Sequence, residues 1–222
     1  MKKIKLVIEI ILIVSIFILV GMIAYDYYDM EKTKKDTGSM INEIDGIIVA
    51  NKEFNESNLN DNTDNRNTNI KDNRNSKKIA KVSGCVVYGK IKIDKIEIEY
   101  PIIEYASENS LWKSICKISS NDINGKGNLC LAGHNMRNFS MFGNLRKVDI
   151  GDTIVITNLN GEEYVYKVYE KTYVNPDQTE VLKDTDEAIV TLVTCNDASN
   201  KRLIVKGISV SENSSVWINV KM

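Results

Sequence analysis

Hydrophobic positions along the chain fall into three regimes. From Leu6 to Tyr25 the run "LVIEIILIVSIFILVGMIAY" is almost wholly apolar, and its length matches the roughly 20 residues needed to cross a bilayer as a helix. From Asp26 to about Lys78 polar residues dominate, and "NKEFNESNLNDNTDNRNTNIKDNRNSKK" has too little apolar content to offset the entropy of ordering it. That stretch predicts a largely disordered polar stalk, with "MINEIDGIIVA" as a short helix within it. From residue 79 to 222 the pattern changes again, to short alternating apolar runs separated by turn residues.

Those runs read as strands. "CVVYGKIKI" and "KIEIEYPII" alternate as half-buried strands do, and Pro101 in the second places it at an edge or bulge. "SENSLWKSICKI" is the helix candidate, with Ser107 or Asn109 as its cap. "GNLCLAGHN" is a strand ending in a loop. "TIVITNLNGEEYVYKVYEKTYV" is a hairpin turned by Asn160-Gly161. "EAIVTLVTC" and "RLIVKGISV" pair around the polar turn "NDASNK". About seven or eight strands with one or two short helices predict a mostly β fold, a closed antiparallel barrel.

Charge adds little beyond exclusion. The 222 residues carry a net charge of −1, which offers no basic excess for nucleic acid. Around the first apolar run the charges are informative: Lys2, Lys3 and Lys5 precede it, and Asp26, Asp29 and Glu31 follow. The positive-inside bias puts the N-terminus in the cytoplasm and the rest outside. A cleaved signal peptide is the other reading, but its core is normally ~7–15 residues with small residues at the cleavage site, and "GMIAY" has no small-x-small triplet.

The chemistry rests on few residues. The chain has four cysteines, none in a CxxC pair, and one histidine, so the usual Cys/His zinc patterns cannot be built. Cys195 ends a β run and is followed at once by Asn196 and Asp197, which predicts partial exposure. If "NDASNK" is the hairpin loop, Arg202 lies across the same sheet end, and a cation beside an exposed thiol makes it reactive. His134 ends the strand before it, where Gly133 permits a tight turn. Cys85, Cys116 and Cys130 read as small buried hydrophobes, Cys116 on the helix face, with a Cys116–Cys130 disulfide as the less favoured alternative.

The segment "TLVTC" resembles the Thr-Leu-x-Thr-Cys signature of sortases, the membrane-anchored cysteine transpeptidases of Gram-positive bacteria. "AGHN" resembles their histidine motif, and Arg202 follows where their arginine stands. The likeness runs from about Val82 to Val210. It implies Cys195 as nucleophile, His134 as proton donor to the leaving amine, and Arg202 as a fixed donor to the oxyanion or substrate backbone. Thr194 would orient the substrate carbonyl or the thiol. The implied substrates are surface proteins with a Leu-Pro-x-Thr-Gly-like sorting motif, and an amine of a cell-wall precursor or pilin. The implied groove is walled by Ala132, Pro176, Val181 and Leu182. "GHNMRNFSMFGNL" looks like the histidine segment of class B, whereas the short "NPDQTEVLKDTDEA" is closer to class A. Some class A members bind calcium near that loop. Asp177, Glu180, Asp184 and Asp186 offer oxygens, but a solvated acidic loop is the favoured reading and no cofactor is expected.

Two rival readings remain at this stage. L,D-transpeptidase and papain-like cysteine enzymes place histidine and cysteine in other orders, and a non-catalytic surface barrel would leave Cys195 unreactive.

Overall fold

The computed structural model describes residues 2–60, 80–123, 125–196 and 199–210. A long helix α1 (Lys2–Asn60) precedes nine strands: β1 (Lys81–Val82), β2 (Cys85–Ile93), β3 (Ile98–Ile103), β4 (Ile115–Lys117), β5 (Gly127–Ala132), β6 (Thr153–Asn158), β7 (Glu163–Val174), β8 (Ala188–Asn196) and β9 (Lys201–Ser209). The second helix, α2 (Glu108–Leu111), is a single turn.

The sheet runs β1-β2-β3-β4-β5-β8-β9-β7-β6, and β6 pairs again with β2. That last pairing closes an eight-stranded barrel from β2 to β9, with β1 as an extra hairpin arm. Closure pairs every strand on both sides, though the short β4 spans only the ends of β3 and β5. Six of its pairings are antiparallel as expected, but β3–β4 and β5–β8 are parallel. The chain can run these strands parallel because α2 and the loops after β5 carry it back across the barrel. Alternation in the strands puts Ile91, Leu131, Ile154, Val190, Leu192 and Val205 inside, all essentially buried. Gly89 lies on β2 where a Cβ would run into the carbonyl of Thr157 on β6, so the closing pair needs glycine there.

Three sequence expectations change. The helix anticipated over Ser107–Ile118 is only one turn, held by a capping box between Ser107 and Ser110, and Cys116 lies in β4. Ser114 ends the helical course by donating to the Pro101 carbonyl at 2.5 Å, and Ile115 then pairs with Ile102. Pro101 costs the ladder little, because β4 pairing starts one residue beyond it.

The third change is the stalk. Where polar composition predicts a disordered segment from Asp26, α1 continues unbroken to Asn60. Met40, Ile44 and Ile48, four residues apart, form a stripe that packs on Ala80, Val82 and Val87. Asp45 pairs with Lys90 at 2.7 Å, and Asn51 donates to the Leu159 carbonyl at 3.0 Å. The average composition of the segment hid this narrow apolar face. The rest of the anticipated stalk, 61–79, lies outside the described residues, as does the tail 211–222.

Residues 4–25 of α1 are apolar apart from Lys5, Glu9 and Ser15 and are exposed all round, compatible with a membrane anchor.

Candidate active site

Four strands deliver the predicted residues to one end of the barrel. In the β8–β9 ladder Cys195 is directly opposite Arg202, so the hairpin register alone makes them neighbours. The guanidinium Nη1 of Arg202 donates to the Cys195 sulfur. Arg202 is also opposite Val174, the last residue of β7. On the other side of β8, β5 runs parallel, with Ala132 opposite Val193 and Gly133 N donating to the Val193 carbonyl at 3.1 Å. Two residues further along each strand from that pair are His134 and Cys195. The topology therefore sets His134, Cys195 and Arg202 side by side on adjacent strand ends, each half-buried.

The outward set on β8 contains Thr191, Val193 and Cys195, because Val190 and Leu192 point into the core. Thr194 belongs to the inward set, is 4% exposed, and donates to the Gly133 carbonyl at 2.7 Å. Thr194 therefore does not touch the thiol directly. Its hydroxyl faces away from Cys195 and ties β8 to the peptide preceding His134.

His134 is held from three directions. Its carbonyl accepts from Phe142 N at 3.1 Å, and Asn135 bridges to Met141, closing the loop that follows. Its ring lies against Trp112, at the end of α2, with centroids 4.3 Å apart and planes tilted by 32°. Gly133 does not need a positive φ here. The Phe142 ring packs so close that a Cβ would meet it at 2.8 Å. Trp112 was missed as a site residue. Its signal in the sequence was an aromatic just past a capped turn, which reads equally well as helix packing.

The expected groove residues divide. Ala132 lies at the end of β5, on the outward face two residues before His134. Pro176 is exposed, just beyond the β7 end that pairs with Arg202. Val181 and Leu182 lie in a 3-10 turn, Thr179–Leu182, that is held at the opposite end of β5. Asn128, 1% exposed, donates to the carbonyls of Val181 at 3.2 Å and Lys183 at 3.1 Å, and accepts from Thr191 at 2.6 Å. The loop from 175 to 187 is therefore tied down over the start of β5, at the end away from Cys195.

Asp184 of the anticipated acidic cluster is used structurally: its Oδ1 accepts from Asn121 at 2.9 Å, Asn128 N at 3.0 Å and Thr185 N at 3.0 Å. Among the described residues no three His, Cys, Asp or Glu side chains group as a metal site. None of the four cysteines is in a disulfide; Cys116 and Cys130 are buried, as expected of small hydrophobes, whereas Cys85, expected to be buried with them, is half-buried.

Fold and site together define a small closed β-barrel with a cysteine–arginine pair and a histidine at one end. The sortase domain family matches residues 91–210, more than half of the chain, and the chain belongs to the sortase family. It is 34% identical over 124 residues to Sortase A of Bacillus anthracis, a match covering 54% of this chain and 59% of that protein. Sortase A of Listeria monocytogenes is 32% identical over 124 residues, 54% of this chain and 55% of that protein. The matches thus span less than two thirds of those relatives. Among solved structures, a Clostridium perfringens Sortase D5 transpeptidase aligns with a TM-score of 0.52 at 31% identity, covering 57% of this chain and 80% of that one. The Listeria monocytogenes sortase A structure aligns at 0.53 with 29% identity, covering 56% and 88%.

Proposed function

We propose that the protein is a membrane-anchored cysteine transpeptidase that cleaves a Leu-Pro-x-Thr-Gly-like motif in surface proteins between Thr and Gly. The acyl group then passes to an amine of a cell-wall precursor or pilin subunit. One observation carries the reading: a half-buried cysteine receives an Arg202 N–H across the β8–β9 register, with His134 at the end of the adjoining parallel strand.

In this reading the Cys195 thiolate attacks the threonine carbonyl, and the C–N bond to glycine breaks as His134 gives its proton to the departing amine. A thioester remains on Cys195. The acceptor amine attacks that thioester and loses a proton to His134, and the thiolate departs with the C–S bond pair. Arg202 keeps its proton throughout and serves as a fixed donor, to the sulfur at rest and to the oxyanion or substrate backbone during attack. Ala132 and Val193 form the floor on which the motif lies, and Pro176 stands at its rim. The anchor reading of residues 4–25 places the N-terminus inside and the barrel outside.

The test uses the full chain in detergent with quenched-fluorescence peptides carrying Leu-Pro-x-Thr-Gly-like and Asn-Pro-x-Thr-like motifs, with and without an amine acceptor. Cleavage and amine-ligated product that disappear in Cys195→Ala support the proposal and decide the motif. Silence on every peptide, with Cys195 unreactive in a folded chain, overturns it in favour of a non-catalytic barrel.

A further inference from the structure

α1 runs alongside the barrel in a defined direction. About halfway along it Asp29 and Thr33 accept from Asn138 Nδ2 at 2.9 and 3.2 Å. Asn138 lies in the loop that starts at His134. Further along, Ile48 packs against Gly161, and Asn51 holds the Leu159 carbonyl in the β6–β7 turn. That turn is at the other end of the barrel, because β7 runs from Glu163 at the turn to Val174 beside Arg202. The candidate catalytic end therefore lies beside the middle of α1, just past its apolar stretch, and the opposite end lies beside its C-terminal part.

The apolar stretch of α1 ends at Tyr25, with Tyr27 and Tyr28 exposed just after it, the aromatic belt of a membrane interface. At 1.5 Å per residue, Asp29 and Thr33 stand only ~6 and ~12 Å beyond Tyr25. The headgroup zone is roughly 5–8 Å thick on each side of a bilayer. A loop latched at that height reaches the lipid surface.

Its side chains suit that surface. Phe139 is 49% exposed although it is a large apolar residue, next to the latch residue Asn138. Lys147 holds its Nζ 5.5 Å from the Phe139 ring centroid, bringing an exposed cation to the same place. Arg137 and Arg146 are exposed in the same segment. Between His134 and Ile150 the one carboxylate is Asp149, which is paired with Lys171 at 3.2 Å. An exposed aromatic with one cation beside it and two more exposed in the same segment is the pattern of a face that inserts shallowly among anionic lipids.

We infer that the barrel end bearing Cys195 and His134 rests on the outer surface of an anionic bilayer, through Arg137, Phe139, Arg146 and Lys147, with Asn138 latched to α1. The inference rests on residues 4–25 being a membrane span. It makes α1 a strut that sets both the height and the direction of the site. The site then opens at the lipid surface, instead of being held away from it by a stalk.

The experiment reconstitutes the full chain in phosphatidylcholine vesicles with and without 30% phosphatidylglycerol, using lipids brominated near the headgroup as quenchers. Phe139→Trp is compared with Asn160→Trp in the β6–β7 turn, each against the parent chain. Expected is severalfold stronger quenching at 139 than at 160, greater with phosphatidylglycerol and reduced by Arg146→Glu with Lys147→Glu. Equal, weak quenching at both positions in a chain that stays with the vesicles through an alkaline wash overturns the inference. A chain that washes off the vesicles overturns it differently, by removing the anchor, while leaving peptide cleavage by Cys195 open. Should Phe139→Trp fail to fold, amide exchange of residues 136–150 in the unmodified chain decides: vesicle-dependent protection supports the surface contact, and none refutes it.

Discussion

The hydroxyl of Thr194 donates to the carbonyl of Gly133 at 2.7 Å, and so joins the residue before the candidate nucleophile to the residue before the candidate acid. The bond adds a side-chain tie to the β5–β8 ladder that already sets the two strand ends side by side. Thr194→Val keeps the shape but leaves the Gly133 carbonyl without that donor in a buried place, a loss of about 1–3 kcal/mol. A displacement of reacting groups by ~1 Å costs about 10²-fold in rate. We therefore expect Thr194→Val to lower kcat by ~10-fold or more with KM little changed, and Thr194→Ser to recover most of it. Urea unfolding alongside steady-state peptide cleavage separates the two effects; a kcat equal to the parent's would show that the bond serves stability alone.

Arg202 contributes geometry as well as charge. Its planar fork meets the sulfur from the opposing residue of the ladder. Arg202→Ala is expected to slow acyl-enzyme formation by roughly 10²–10³, the usual loss of an oxyanion donor. Arg202→Lys keeps the charge on a flexible stem without the fork, and should fall between the two. Single-turnover acylation followed by mass spectrometry gives the rates. If the lysine variant matches the parent, charge suffices and the directed N–H is irrelevant.

Much of this was legible because it depends on local pattern. Alternation announced β2, β5, β8 and β9, and the length of "NDASNK" was enough to pair Cys195 with Arg202 before any coordinates. What was hidden depends on partners far off in the chain. Ile115–Lys117 reads as helix until β3 is there to pair with it. Met40, Ile44 and Ile48 are sparse apolar residues in a polar stretch until Val82 and Val87 give them something to cover. Thr194 looks like a neighbour of the thiol, yet the two-residue period of a strand turns it to the opposite face. Trp112 meets His134 only because α2 stops after one turn.

Asn128 holds the long β7–β8 loop, the proposed lower wall of the substrate groove. Its amide spans the carbonyls of Val181 and Lys183 while its Oδ1 takes the Thr191 hydroxyl. Asn128→Ala abandons these buried partners and should cost about 1–3 kcal/mol. Asn128→Asp keeps the acceptor for Thr191 but loses both donors, so the loop should loosen while the strand pair is retained. Both variants are expected to raise KM for the sorting peptide several-fold, with kcat changed less. A KM unchanged in Asn128→Asp, with the loop shown mobile by amide exchange, would mean that residues 179–183 do not wall the groove.

Cys130 gives the barrel a weakness at high pH. Burial beneath the loop pushes its thiol from an ordinary value of 9.0 up to about 11, and burial raises Cys116 as well. Below about pH 9 both folded and unfolded chains hold these protons, and no penalty arises. Between about 9 and 11 the unfolded chain releases the Cys130 proton and the folded chain keeps it. Unfolding is then favoured by at most ~1.4 kcal/mol per pH unit for each such group. Tyr164 and Tyr169, pushed by burial up to about 12, act in the same direction above about pH 10. Stability from urea titrations should therefore fall steadily from pH 9 to 11, and Cys130→Val should flatten the first part of that fall. A variant with the parent's slope would place Cys130 in contact with water through an open β7–β8 loop.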